Sequence, residues 1–149
     1  MKFLSLFLIS FCVSTLTIQG QNVSPVNWTF QLEQVDEQTY DLVATAKMKD
    51  KWVIYSQHSD PDGPVPTYFE FTQDEGVTLV GEVEEISKKL VQFSDLFEVK
   101  VSKFKGEAVF KQRFTVQKNP ITLSGSVTYM TCDSKKCLPP KDVPFQVTL

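Results

Sequence analysis

Two cysteines near the carboxyl end are the residues of this 149-residue chain whose type and spacing most clearly allow chemistry. Four residues separate Cys132 from Cys137, and Pro139-Pro140 follows closely. Four residues make a turn, and two prolines lack the amide protons that regular strand pairing needs. We therefore expect both sulfurs at a strand end, within bridging reach of each other.

Such a bridge could be exchangeable or structural. Closing so small a loop removes roughly 2 kcal/mol of denatured-state entropy, near the low end of what disulfides contribute. Lys135 and Lys136 lie between the cysteines and favour a thiolate, the species that attacks disulfides, whereas Asp133 acts in the opposite direction. The local chemistry is compatible with a redox-active disulfide and with a structural one. A third interpretation is metal binding, because Met130 could add a soft ligand for copper(I).

The amino terminus has the layout of a secretory signal peptide. A positive Met1-Lys2 precedes an apolar run from Phe3 to Leu16, and polar residues follow. The run is shorter than the roughly 20 apolar residues that a membrane-spanning helix needs. We expect cleavage after Gly20, so that residues 1–20 and Cys12 are lost and the protein becomes periplasmic or secreted.

The remaining residues, 21–149, have the length of one domain and contain no second apolar run that could cross a bilayer. A formal net charge of -3, with both signs interspersed, lacks the basic footprint that nucleic acids require. His58 lies in a turn-rich segment, and no phosphate loop or nucleophile elbow is present. We therefore expect a soluble domain without nucleic acid, cofactor or metal, whose remaining cysteines can form a persistent disulfide after export.

Alternation of apolar and polar residues dominates the rest of the chain and predicts short strands. The residues Glu82 to Leu90 have a spacing compatible with one or two helical turns. Short strands without intervening helices indicate an all-β, immunoglobulin-like antiparallel sandwich. The nine predicted strands are Val26 to Leu32, Tyr40 to Met48, Trp52 to Tyr55, Tyr68 to Phe71, Val77 to Val83, Phe97 to Val101, Ala108 to Val116, Ile121 to Tyr129 and Val143 to Leu149.

The strand before the first cysteine also predicts where its sulfur points. Leu123, Val127 and Tyr129 share one face, which places Cys132 on the opposite face unless a bulge intervenes. We therefore expect Cys132 to lie outside the core.

The segment from Cys132 through Pro140, followed by Val143-Pro144-Phe145, resembles the active-site hairpin of the amino-terminal periplasmic domain of the bacterial disulfide reductase DsbD. A looser resemblance extends upstream through Asp50 to Tyr55 and Phe97 to Val116. It implies an immunoglobulin-like domain that receives electrons from a membrane-embedded reductase through a thioredoxin-like domain. Such a domain passes them to oxidised periplasmic proteins, among them isomerases, peroxide-handling thioredoxin-like proteins and cytochrome c maturation proteins.

By that resemblance, Cys137 matches the cysteine that forms the intermolecular mixed disulfide, and Cys132 matches the one that resolves it. The family shields its disulfide with a cap loop that bears aromatic residues. The matching segment here contains Phe93 and Phe97, with Tyr55 as a neighbour across the cleft.

The sequence departs from the family pattern in two respects. The cysteines are separated by four residues where the best-known members have five. A membrane region and a thioredoxin-like domain, to which the family domain is commonly fused, are not in this sequence, so we expect a membrane reductase that acts in trans. The sequence thus predicts a thiol–disulfide exchange domain, a component of a protein-disulfide reductase system. The alternatives are a secreted immunoglobulin-like interaction module with a structural disulfide and a copper(I)-binding protein.

Overall fold

The structure, a computed structural model, describes residues 24–72, 75–117, 120 and 122–149, and the expected signal peptide and Cys12 lie outside them. These residues form ten strands and no helix, and so no helix that could cross a bilayer. The strands are β1 (Val26–Gln34), β2 (Thr39–Met48), β3 (Val53–Tyr55), β4 (Tyr68–Thr72), β5 (Val77–Glu85), β6 (Leu90–Ser94), β7 (Val99–Lys105), β8 (Glu107–Val116), β9 (Thr122–Cys132) and β10 (Cys137–Thr148).

The strands form two antiparallel sheets, which confirms the predicted all-β, immunoglobulin-like sandwich. One sheet has the order β1-β2-β8-β5, and the other has the order β10-β9-β3-β7-β6. Strand β9 pairs along one side with β10 and along the other with both β3 and β4. The end of β9 that carries Cys132 therefore lies beside Val53 of β3.

The core lies between the two sheets. On β8, residues with even numbers are buried, and Phe110 and Phe114 face the second sheet. Phe104 of β7 meets Phe110 edge to face, with ring centroids 5.6 Å apart, and thereby joins the sheets. Burial of each such side chain contributes about 1.5–3 kcal/mol. This aromatic core holds the sandwich together independently of the cysteines.

As predicted, no helix lies between the strands in the part of the chain that the structure describes. The residues Glu82 to Leu90 form no helical turn, because β5 continues to Glu85 after a shift in its pairing with β8, and β6 then begins at Leu90. The strands themselves differ from the predicted ones in three places. Strand β10 begins at Cys137 and not at Val143. Strand β6 was not predicted. The seventh strand begins at Val99, which leaves Phe97 in the turn between β6 and β7.

Candidate redox site

The hairpin of β9 and β10 brings the two cysteines together. Cys132 and Cys137 are direct partners across the hairpin, their Cα atoms are 4.0 Å apart, and their sulfurs form a disulfide. Four residues close the turn between them. The Asp133 carboxylate accepts hydrogen bonds from the amides of Lys135 (2.7 Å) and Lys136 (2.9 Å), and these bonds lower its pKa. The turn is therefore fixed by an ionised side chain.

The two prolines interrupt the ladder as predicted. Leu138 pairs with Thr131, but Lys141 pairs with Tyr129, so β10 contains one extra residue at Pro139-Pro140. A shift of one residue exchanges the two faces of a strand. Before the bulge, Cys137 lies with Cys132 on the face of the sheet that points away from the sandwich core. After the bulge, odd-numbered residues of β10 such as Phe145 point toward that core.

Cys132 lies on the face opposite Val127 and Tyr129, as its register predicts, but it is only 2% exposed. It is buried in a small apolar cluster with Tyr55 and Val101, against which Met130 and other partly buried residues pack. The expectation that Cys132 lies outside a core is therefore wrong, because the outer face carries a small core of its own. Cys137 is half-buried and is therefore the more exposed residue of the pair.

The structure brings two of the three candidate aromatics together beside the bridge. Tyr55 is buried and meets Phe97 edge to face, with ring centroids 6.0 Å apart, and burial raises the pKa of Tyr55. Both rings belong to the cluster that contains Cys132. Phe93 lies on β6, is 58% exposed and contributes to the wall of the cleft above Cys132.

The backbone around Tyr55 is fixed by buried polar contacts that sequence reasoning missed. The hydroxyl of the fully buried Thr67 donates a hydrogen bond to the Tyr55 carbonyl oxygen over 2.6 Å. The next amide, that of Ser56, donates to the Ser102 carbonyl oxygen of β7 over 2.9 Å. Tyr55 is therefore held in position from two sides.

A buried carboxylate extends this support. The side chain of Glu85 is 4% exposed and accepts hydrogen bonds from the Ser56 hydroxyl and the Gln57 amide, while Lys89 forms an ion pair with it at 2.8 Å. Burial alone would raise the pKa of Glu85, but the bonds from Lys89, Gln57 and Ser56 outweigh that effect and lower it. Glu85 thus connects β5 to the end of β3 and to the start of β6.

An open cleft of about 630 Å³ lies over Cys132, between β3, the hairpin of β6 and β7, and the turn after β9. Tyr55 and Val53 line one side, and the segment from Leu90 to Leu96 supplies much of another. Lys135 faces this cleft, whereas Lys136 lines a second cleft with Trp52. The two lysines between the cysteines therefore contribute charge to different surfaces.

Metal-ligating residues are not gathered at the bridge. Among the residues that the structure describes, no group of three or more His, Cys, Asp or Glu side chains is arranged to hold a metal ion. His58 is exposed in the turn after β3. Met130 packs against the cluster that contains the disulfide.

Comparisons with known proteins agree with the sequence resemblance. A family model described as the N-terminal region of the thiol:disulfide interchange protein DsbD matches residues 20–149. No curated protein sequence matches the chain. In fold, the chain is similar to the N-terminal periplasmic domain of ScsB from Proteus mirabilis, with a TM-score of 0.62 and 15% identity over 89% of this chain.

A second solved structure, the reduced DsbD N-terminal domain of Neisseria meningitidis, is similar with a TM-score of 0.51 and 17% identity. That match covers 81% of this chain and 84% of the other. The present chain spans 49% of the ScsB chain that it matches. At these identities the solved structures establish a shared fold.

Proposed function

The chain belongs to the family of DsbD amino-terminal domains, and from this premise we propose that its Cys132–Cys137 disulfide exchanges with thiols of other proteins. The domain accepts reducing equivalents from a thioredoxin-like donor and passes them to oxidised partners. The observation that supports this proposal most directly is the bonded cysteine pair at the end of a hairpin, beside an open cleft.

The unequal exposure of the two cysteines supports different roles. A thiolate must reach the sulfur that it attacks, and Cys137 is half-buried whereas Cys132 is 2% exposed. Cys137 is accordingly the sulfur that joins a partner, and Cys132 is the resolving sulfur. Tyr55 and Phe97 shield the pair from solvent and from unselective thiols.

Two exchanges complete the reduction of the domain. A donor thiolate attacks Sγ of Cys137, a mixed disulfide forms, and the electron pair of the broken bond leaves on Cys132, which takes up a proton. The second donor thiolate then attacks the donor sulfur of the mixed disulfide. The donor leaves as a disulfide, and two electrons and two protons have moved to the domain.

Reduction of an acceptor follows the reverse order. The Cys137 thiolate attacks an acceptor disulfide and releases one acceptor sulfur, which is protonated. The Cys132 thiolate then attacks Sγ of Cys137, which restores the bridge and releases the acceptor as a dithiol. Isomerases, cytochrome c maturation proteins and peroxide-handling thioredoxin-like proteins are the proposed acceptors.

The proposed location is the periplasm or another exported compartment. The signal peptide expected at residues 1–20 ends where the family match begins, at residue 20, and a disulfide carrier requires an environment where disulfides persist. The ScsB domain of similar fold is described as periplasmic. A membrane-embedded reductase, acting through a thioredoxin-like protein or domain, is the proposed source of electrons.

A trapping experiment tests the two cysteine roles. Cys132→Ala cannot resolve a mixed disulfide on Cys137, and a thioredoxin-like protein that lacks its second cysteine cannot resolve it from the other side. When the remaining thiol of the variant is first activated as a mixed disulfide with thionitrobenzoate, the single cysteine of that protein should displace thionitrobenzoate. The resulting complex should appear on a non-reducing gel and disappear with dithiothreitol. Cys137→Ala is the matched control and should trap far less. Equal trapping by both variants, or none by either, would contradict the proposed roles.

The reduction potential separates exchange from a structural bridge. An exchangeable disulfide should have a potential above about -300 mV, whereas a lower value indicates an inert bridge in an interaction module. Metal retained after purification with reduced cysteines would instead support copper(I) binding.

A further inference from the structure

The cleft over Cys132 concentrates positive charge in a protein whose formal net charge is -3. Four lysines line it, contributed by the turn after β2, by β7 and by the turn after β9. Within the described residues, none of the four takes part in an ion pair. The four are Lys51, Lys103, Lys105 and Lys135.

The carboxylates at the cleft do not balance this charge. Among the residues that the structure describes, Asp95 and Asp133 are the carboxylates that line it, and Asp133 already accepts two backbone hydrogen bonds. Lys103 and Lys105 alternate along β7 and therefore share a face. The pKa of Lys103 is lowered, first by burial and then by the positive charge of Lys105. Lys103 and Lys105 thus repel each other in the free protein, and an incoming anion would relieve that repulsion.

Apolar side chains lie next to these charges. Leu90 is 45% exposed and Leu96 is 65% exposed, and both line the cleft. Exposed apolar groups with polar residues around them are typical of protein interaction sites. The surroundings of the disulfide therefore fit a protein that presents carboxylates together with a small apolar area.

We propose that this lysine-lined cleft is an anion-selective docking surface, and that its partner is a thiol protein whose reactive cysteine is surrounded by carboxylates. The inference rests on the proposed disulfide exchange. Complementary charge steers encounter and selects the correct partner.

The charge pattern also couples docking to reactivity. Carboxylates near a thiol raise its pKa and keep it protonated, whereas nearby lysines favour the thiolate. A partner cysteine surrounded by carboxylates would be a poor nucleophile in solution and a better one when the lysines of this cleft face it. Exchange would therefore be favoured in the correct complex.

Charged peptides can test the cleft without knowledge of the natural partner. Two synthetic peptides carry a single cysteine as a pyridyl disulfide and differ only in whether glutamate or lysine flanks it. The single thiol of the Cys132→Ala protein attacks each peptide, and release of pyridinethione reports the rate. Rates with free cysteine correct for the intrinsic reactivity of each peptide.

We expect the glutamate peptide to react about tenfold faster than the lysine peptide at low ionic strength, with a smaller ratio at high salt. The double substitution Lys103→Glu and Lys105→Glu should abolish or reverse the preference. Lys105→Glu alone, at an exposed position, should reduce it and serves if the double variant does not fold. Lys100→Glu is the matched control, because Lys100 is an exposed residue of β7 outside the cleft.

Equal corrected rates for the two peptides would overturn the docking proposal, as would a preference that survives the substitutions at Lys103 and Lys105. This outcome is distinct from failure of the proposed exchange. If no thioredoxin-like protein is trapped but the glutamate preference persists, the exchange is refuted while the anion selectivity of the cleft stands.

Discussion

Reduction of the disulfide should cost the fold little, and the size of the loop sets the expected cost. Cys137 follows Cys132 by five positions, with four residues between them, so the bridge restricts the denatured chain only slightly. The chain-entropy relation gives about 2 kcal/mol for a loop of this size. After reduction, Cys132 remains a small apolar side chain against Tyr55 and Val101. The reduced protein should therefore stay folded.

The free energy by which the bridge stabilises the fold also affects its reduction potential. If the bridge stabilises the folded protein by about 2 kcal/mol, folding in turn stabilises the bridge by an equal amount. For a two-electron couple this corresponds to a folded-state potential roughly 40 mV more negative than that of the same pair in the denatured chain. A shift of this size leaves the reduction potential of the bridge within the range found for biological dithiols.

Urea unfolding of the oxidised and reduced proteins measures this cost. Fluorescence of Trp28 and Trp52 can follow the transition, and the reduced protein should have a midpoint about 1 M lower for a typical dependence on urea. The double variant Cys132→Ala and Cys137→Ala controls for effects of the reductant itself. The loop-entropy estimate would be refuted if the reduced protein were unfolded without urea, or if its free energy of unfolding were lower by more than about 5 kcal/mol. Either result would indicate a structural bridge.

Three further substitutions test the surroundings of the site. In Gly125→Ala, the added methyl would overlap the Glu70 carbonyl oxygen and approach the Phe145 ring to 2.8 Å, so we expect a loss of about 1–3 kcal/mol in urea unfolding. Phe97→Ala removes the ring beside Tyr55 and should speed reduction of the bridge by dithiothreitol several-fold, whereas an unchanged rate would contradict a shielding role. The folded-state pKa of Glu85 lies below its ordinary value of 4.5, so its stabilising effect is present above that pH and is lost as pH falls through the folded pKa. Wild type should therefore exceed Glu85→Gln in unfolding free energy by about 1–3 kcal/mol at neutral pH, and the difference should shrink in acid.

Strands with one face on the core could be predicted closely from the sequence. The predicted bounds of β2 and β8 are correct within one residue, because burial alternates along both strands. Strand β6 could not be found in this way, since four of its five residues are exposed and leave no alternating pattern. The segment from Glu82 to Leu90 is ambiguous in sequence, because its three apolar residues share a helical spacing. Pairing of Glu84 and Glu85 with β8 outweighs that spacing, so no helix forms.

The cysteine hairpin could be predicted because its determinants are local. The spacing of the cysteines and the two following prolines specify a turn and an interrupted ladder. The burial of Cys132 could not be predicted, because Tyr55, Phe97 and Val101 all lie more than 30 positions away from it along the chain. The lysine cleft is also a product of tertiary structure. Only Lys135 lies near the cysteines in sequence, while the other three lysines reach the cleft through the pairing of β3 with β7 and β9.

The prolines of β10 also bear on how the folded domain behaves at high concentration. This strand lies at an outer edge of its sheet, where free backbone amides and carbonyls can recruit a strand from another molecule. Pro139, Pro140 and Pro144 remove three amide donors from its twelve residues, and the bulge bends the strand where two of them lie. This edge strand is therefore poorly suited to pairing with a strand of another molecule. It begins at Cys137, so the protection lies next to the disulfide through which the domain is proposed to contact its partners.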